Sequence, residues 1–210
     1  MTRLFVATCL LAGACATAPA ARELSPYEDG ATGRWGFRDR AGATAIAPRY
    51  QQAQPFAASG LAAVVDESGW QLIDASGKTV LRPFVVDNGP DPFSEGLARH
   101  VDGDKIGFYD QRGQVVIPAR FVYAGPFACN RAAFCEGCER KSSDGGEHNF
   151  YAGGRWGYID RGGQVAIAAQ FDEAQPFVEC KARVRSGQEW KSVGVDGKAG
   201  NEATSAPGRD

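Results

Sequence analysis

One pattern recurs four times along this chain of 210 residues, and it constrains the fold more than any other feature. Each copy has a marker position, then an aspartate four residues on, a glycine seven on and a branched aliphatic residue eleven on. The markers are Trp35, Trp70, Ile106 and Trp156. The aspartates are Asp39, Asp74, Asp110 and Asp160, the glycines Gly42, Gly77, Gly113 and Gly163, and the aliphatic residues Ile46, Leu81, Ile117 and Ile167. Such a repeat is one supersecondary unit that must stack on its neighbours to bury its apolar face.

The residues within one copy predict β-structure. Apolar and small residues alternate around the marker, as a half-buried strand requires, and a second alternating segment follows the glycine. The Asp-x-x-Gly segment between them suits a type I turn, in which aspartate accepts backbone hydrogen bonds and glycine takes positive φ. A Pro-Phe pair then turns the chain back, and Leu61–Val64 predicts a third strand leading into the next copy.

We therefore predict an all-β tandem array of three-stranded antiparallel hairpin units, propeller-like or solenoid-like, over residues 33–198. A fifth, degenerate copy begins at Trp190. The predicted shared core comprises Trp35, Phe37, Ile46, Phe56, Trp70, Leu81, Phe93, Ile106, Phe108, Ile117, Phe127, Trp156, Tyr158, Ile167 and Phe177. The recurrent aspartates and glycines are predicted turn residues. The alternative for the aromatic residues is a ligand-binding platform.

The repeated motif resembles a known family. Trp-Gly-aromatic-x-Asp-x-x-Gly, followed by Pro-Phe-x-x-Gly-Leu-Ala, is similar to the WG-repeat (KWG-type β-repeat) family. The chain departs from it at Gln71, where the motif has glycine, and at Ile106, where it has tryptophan. Asn130-Arg131 and Cys180-Lys181 replace its Gly-Leu pair. The resemblance implies a β-rich repeat fold, often in exported bacterial proteins, with no established enzymatic activity.

The N-terminus has the pattern of an export signal. A positive charge at Arg3 precedes a short apolar run and then small residues, which predicts a signal peptide over 1–20 cut after Ala20. The alternative is a lipoprotein signal over 1–14, with Cys15 acylated. Residues 21–32 are predicted as a linker and 199–210 as a disordered tail. No later apolar run has spanning length, so we expect a protein that is not transmembrane, located in the periplasm or anchored at the outer membrane of a Gram-negative bacterium.

The wider spacing before Trp156 predicts an insertion over 129–152. It holds Cys129, Cys135 and Cys138, and Cys180 follows in the next copy. An even number of cysteines in an oxidising compartment predicts disulfides, with three connectivities open. Cys129 and Cys180 follow equivalent Pro-Phe pairs and could lie on neighbouring units. Zinc binding by Cys129, Cys135, Cys138 and His148 is one alternative, and a redox-active Cys-x-x-Cys is another.

The chain offers no recognisable catalytic motif. Its histidines, His100 and His148, have no nucleophile beside them, and we expect His100 at an exposed strand edge. A net charge of -2 leaves no basic footprint for nucleic acid. We expect no enzyme and no cofactor, but an interaction or scaffold module of the cell envelope that binds a protein or polymer. The alternative is a thiol-redox or zinc-binding protein that uses the insertion.

Overall fold

The computed structural model describes residues 23–143 and 148–199. The predicted signal peptide with Cys15 lies outside the described residues, as do residues 144–147 and 200–210 of the predicted tail. None of the described residues belongs to a helix long and apolar enough to cross a membrane.

Nearly all regular structure in the described chain is antiparallel β-structure arranged as consecutive units, which confirms the predicted fold class. The first strands of units 1 to 5 are β1 (Ser25–Asp29), β5 (Ala62–Asp66), β10 (Leu97–Asp102), β14 (Ala132–Glu136) and β20 (Lys181–Ser186). The second strands are β2 (Arg34–Arg38), β6 (Gly69–Ile73), β11 (Lys105–Asp110), β17 (Arg155–Ile159) and β21 (Glu189–Gly194). The third strands of units 1 to 4 are β3 (Thr44–Tyr50), β7 (Thr79–Pro83), β12 (Val115–Phe121) and β18 (Val165–Phe171).

Short strands join successive units. They are β4 (Gln52–Ala53), β13 (Tyr123–Ala124) and β19 (Glu173–Ala174), and each pairs with the first strand of the next unit. A two-residue pair, β8 (Val85–Val86) and β9 (Gly89–Pro90), takes this place after unit 2. Unit 5 has a hairpin of two strands, and Ala199 adds an isolated bridge to Val193.

The structural unit begins one strand earlier than the marker pattern indicates. Strand β1 lies in the segment 21–32 that the sequence predicted as a linker, so that prediction is wrong for the described part. All five β1 residues pair with β2, and Leu24 just before them is buried. Pro26 conceals this strand in the sequence, but proline is tolerated on an edge strand such as β1.

The third strands of units 1, 3 and 4 carry a bulge, which directs their third and seventh residues towards the core. In unit 4, Trp156 pairs with Phe171 and Tyr158 with Ile167, so two steps along β17 correspond to four along β18. Units 1 and 3 have the same register shift, and β3, β12 and β18 share one burial pattern. The aliphatic residue eleven after the marker and the aromatic residue fifteen after it are therefore both buried.

The glycine of Trp-Gly allows this bulge to approach the second strand. A Cβ atom on Gly157 would lie 2.4 Å from the Ile167 carbonyl oxygen, and Gly36 and Gly107 are equally crowded. Unit 2 has Gln71 instead. There the third strand leaves β6 after Leu81 and pairs with β10, which merges units 2 and 3 into a seven-stranded sheet with β4.

The insertion is shorter than the predicted 129–152. Residues 132–136 form β14, the ordinary first strand of unit 4. The additional element is a hairpin of β15 (Glu139–Ser143) and β16 (His148–Ala152), placed where units 2 and 3 have a two-residue turn. Ala132 corresponds to Ala62 and Ala98 of the earlier units. The sequence-based prediction instead places the boundary of the insertion at Cys129, because this segment holds three cysteines.

Most predicted core residues are buried. The buried ones are Phe37, Ile46, Leu81, Ile106, Phe108, Ile117, Phe127, Trp156, Tyr158, Ile167 and Phe177. Trp35, Phe56 and Trp70 are half-buried and pack against this core. The prediction is wrong for Phe93, which is 43% exposed. The equivalent phenylalanines of the other units pack on the aromatic ring two residues after the marker of their own unit. Unit 2 has Leu72 in place of that ring.

Candidate functional site

The predicted turn aspartates are confirmed as structural groups. In each of the four turns, one carboxylate oxygen accepts hydrogen bonds from the backbone N–H groups two and four residues on, as Asp160 does from Gly162 and Gln164 at 2.9 Å. The following glycine has φ near +80° in all four. For Asp74, the hydrogen bond from the Ser76 hydroxyl lowers the pKa most. These carboxylates are thus engaged by their own turns.

Neighbouring units are joined through these turns. The turn glycines of units 2 and 4 face the buried aliphatic residue of the unit before them, as Gly163 faces Ile117, whereas Gly113 of unit 3 faces Leu61. Arg49 donates a hydrogen bond to the Gly77 carbonyl oxygen at 2.6 Å, and Arg120 donates to that of Gly163. Sequence reasoning missed both arginines, although each stands fourteen residues after its marker, a recurrence that could have revealed them.

The four cysteines that the structure describes pair as Cys129–Cys180 and Cys135–Cys138, which agrees with the disulfide prediction and selects one of the three connectivities. Cys129 and Cys180 lie in equivalent two-residue turns of adjacent units, with Cα atoms 5.3 Å apart. Both have positive φ, so these turns keep their geometry without the glycine of the Gly-Leu pair. The first disulfide therefore links the Pro-Phe corner between units 3 and 4 to the Pro-Phe corner between units 4 and 5.

The second disulfide attaches the insertion to the array. Cys135 is the fourth residue of β14 and Cys138 immediately precedes β15, and both are buried in the core of unit 4. An aromatic cluster holds the other side of the hairpin. The ring of Tyr151 lies 4.8 Å from that of Tyr123, which in turn lies 5.3 Å from Trp156. The root of the hairpin is thereby fixed on both strands.

Two clefts flank the hairpin. The unit-3 cleft, about 560 Å³, is lined by Phe84, Val85, Val101, Ile106, Arg140 and Tyr151, among others. The unit-4 cleft, about 430 Å³, is lined by Phe150, Tyr151, Trp156, Asp172, Gln175 and Arg185, among others. Tyr151 contributes to both.

Charged pairs shape the unit-4 cleft. Arg155 donates to the Asp172 carboxylate at 2.5 Å, and Arg185 donates to that of Glu173 at 3.0 Å. Phe150 stands beside them with 48% of its side chain exposed. An exposed aromatic ring next to oriented polar groups is a typical recognition surface.

A buried ion pair sits between units 2 and 3, and the sequence did not reveal it. Arg99 donates to both carboxylate oxygens of Asp91, at 2.9 and 2.7 Å, and its guanidinium lies over the ring of Phe84. Side-chain exposure is 9% for the arginine and 3% for the aspartate. His100, the next residue on β10, is also buried. The prediction that it lies at an exposed strand edge is therefore wrong. Its ring fits because Gly107, which pairs with His100, has no side chain.

The alternative zinc set is not brought together. Cys129 is bonded to Cys180 and Cys135 to Cys138, and the side chain of His148 lies outside the described residues. No group of three potential metal ligands occurs in the part of the chain that the structure describes. Thiol exchange needs access to a sulfur atom, and Cys135 and Cys138 are only 3% and 6% exposed. This burial argues against a redox role for that pair.

Comparison with known proteins agrees with the repeat architecture. Residues 35–70, 106–137 and 156–190 match the family model of the WG containing repeat. The interval between the first two matches holds the rest of unit 2, which carries Gln71 and the diverted third strand, and the first strand of unit 3. No curated protein matches the chain in sequence. The three matched segments, together with the shared geometry of units 1, 3 and 4, show that the chain belongs to the WG containing repeat family.

Proposed function

We propose that this chain is a non-enzymatic module of the bacterial cell envelope that binds a protein or polymer partner through the β15–β16 hairpin and the two clefts beside it. Export rests on the signal pattern of residues 1–20. Cleavage after Ala20 leaves a soluble periplasmic protein, whereas use of the lipoprotein signal over 1–14 adds a lipid anchor at Cys15.

One observation carries the proposal: the hairpin is the element that the repeat does not account for, and it is attached to the core at its root while its described side chains are exposed. The Cys135–Cys138 disulfide and the Tyr123–Tyr151 contact fix its root. Arg140, Lys141 and Phe150 remain exposed. A preorganised surface loses little conformational entropy on binding, which favours a recognition role.

The repeated residues support a role without catalysis. The recurrent aspartates are engaged in turns, the cysteines of the described residues are paired, and the buried Asp91 carboxylate is neutralised by Arg99. Function on a repeat scaffold is most often placed on the surface that interrupts the repeat.

The test replaces residues 137–154 with Gly-Asp, the turn that unit 3 has at the same place, together with Cys135→Val to match Val65 and Val101. The control is Val178→Ser, which changes a 71% exposed residue outside the clefts. Each full-length protein, with an affinity tag, is used to capture ligands from envelope extract and from purified peptidoglycan.

We expect the wild type and the control to capture the same partner in equal amounts. The shortened variant should capture at least about tenfold less of it. Equal capture by all three proteins would contradict the role of the hairpin. Absence of specific capture by the wild type, or recovery of the protein in the cytoplasmic fraction, would contradict the envelope module itself.

A further inference from the structure

Unit 2 differs from units 1, 3 and 4 at its Pro-Phe corner. In units 1, 3 and 4 the phenylalanine of the Pro-Phe pair packs edge-on against the aromatic ring two residues after the marker. The ring centroids are 4.9 Å apart for Phe37–Phe56 and 4.8 Å apart for both Phe108–Phe127 and Tyr158–Phe177. Each of these pairs closes the corner of its own unit.

Unit 2 lacks this closure. Leu72 occupies the position of the inner aromatic ring, and Phe93 packs instead against Tyr109 of unit 3, with centroids 5.3 Å apart. A pocket of about 160 Å³ opens here between units 1, 2 and 3. Its walls are mainly apolar and include Pro55, Leu61, Leu72, Pro90, Phe93 and Tyr109. None of its lining residues belongs to the two clefts beside the insertion.

The size and lining of the pocket indicate the size of its ligand. An apolar cavity of about 150 Å³ accommodates one benzene molecule. The pocket is therefore large enough for a single six-membered ring, but not for a fused ring system or an oligosaccharide. Leu61 and Leu72 offer aliphatic contacts, and Phe93, exposed on one side, offers an aromatic face at the entrance.

Tyr109 supplies a polar group in this apolar wall. Its side chain is only 2% exposed, and burial, together with the nearby Asp91 carboxylate, raises the pKa of its hydroxyl to about 12, so the hydroxyl stays protonated. No described residue hydrogen-bonds this hydroxyl. No buried side-chain polar atom in the described parts is left without a partner, so the hydroxyl is not sealed from solvent, and Tyr109 lines this pocket.

We propose that this pocket binds one phenolic ring, with the ring against Leu61, Leu72 and Phe93 and its hydroxyl hydrogen-bonded to Tyr109. The apolar walls favour the ring, and the hydroxyl of Tyr109 selects a ring with a hydrogen-bonding group over a plain hydrocarbon. The ligand is either a free para-substituted phenol or the tyrosine side chain of a partner. The site is independent of the hairpin surface and of the partner that the hairpin binds.

The experiment titrates the full chain with p-cresol and with toluene, followed by ligand-observed NMR. We expect p-cresol to bind with a Kd on the order of 1 mM, about fivefold more tightly than toluene, since one neutral hydrogen bond has that effect. Tyr109→Phe should remove the preference for p-cresol and keep toluene binding. Leu72→Phe restores the aromatic residue of the other units, so it should close the pocket and abolish binding of both.

Val165→Phe is the matched control, since it adds the same ring at a site that is 55% exposed and lies in unit 4. It should bind p-cresol as the wild type does. N-acetyl-tyrosinamide then distinguishes the two sources: binding at least as tight as that of p-cresol supports a partner's tyrosine, and weaker binding supports a free phenol. Absence of p-cresol binding to the wild type, or equal binding to wild type and Leu72→Phe, would overturn the proposal.

Discussion

The glycine that follows the marker tryptophan should accept no side chain, and Gly157→Ala tests this directly. The added Cβ atom would lie 2.4 Å from the Ile167 carbonyl oxygen and 2.8 Å from the Ala168 carbonyl carbon. Both are backbone atoms of β18, so no side-chain rotation can relieve the contact. An ordinary C···O contact is about 3.3 Å, and β18 would have to move by roughly 1 Å.

This displacement acts on the best-packed part of unit 4. Tyr158 and Ile159, the next two residues on β17, are fully buried, and the bulge opposite them brings Ile167 and Phe171 into the core. Overpacking of this kind costs about 1–3 kcal/mol. For a chain of this length each kcal/mol corresponds to about 2–4 °C in Tm, so we expect a decrease of about 2–12 °C.

Gly162→Ala is the matched control. Its Cβ atom would lie 3.4 Å from a carboxylate oxygen of Asp160, an ordinary contact, and its φ is not positive. We expect this variant within about 0.5 kcal/mol of the wild type. The measurements are thermal unfolding and urea unfolding at pH 7.5, both followed by tryptophan fluorescence. If Gly157→Ala and Gly162→Ala proved equally stable, the close-approach argument for the Trp-Gly motif would be refuted.

Three further predictions concern groups buried between units. Asp91→Ala leaves the Arg99 guanidinium buried without its partner, so the free energy of unfolding should fall by about 3–5 kcal/mol in urea titrations; a change below about 1 kcal/mol would contradict this. Burial lowers the pKa of His100 below its usual 6.5. The unfolded chain therefore takes up the proton first, and wild-type stability should decline as the pH falls below about 6.5, whereas His100→Gln should lack that component; identical pH profiles would speak against it. Replacing both Cys129 and Cys180 by serine removes a cross-link over 51 residues, for which chain entropy predicts a loss of about 4 kcal/mol by urea unfolding, and an unchanged midpoint would be inconsistent with the disulfide.

The local structure of the array could be predicted from the sequence because its determinants lie within a few residues of one another. Asp160 and Gly163 specify a turn by hydrogen bonds and positive φ inside a five-residue segment, and the same spacing recurs in four copies. The buried face of β17 follows from the residues around Trp156 in the same way. The number and type of units, and most of their core, were therefore accessible without tertiary information.

The tertiary structure alone decided how strands and units are shared. Strand β1 is recognisable only through its pairing with β2, and the diversion of β7 follows from Gln71, whose side chain cannot lie beneath a bulge. The pairing of Cys129 with Cys180, the burial of Arg99 against Asp91 and the pocket beside Phe93 all join residues from different turns or units. A repeat pattern determines which residues each unit contributes, but its departures act through neighbours that are distant in sequence, and only the packed array brings those neighbours together.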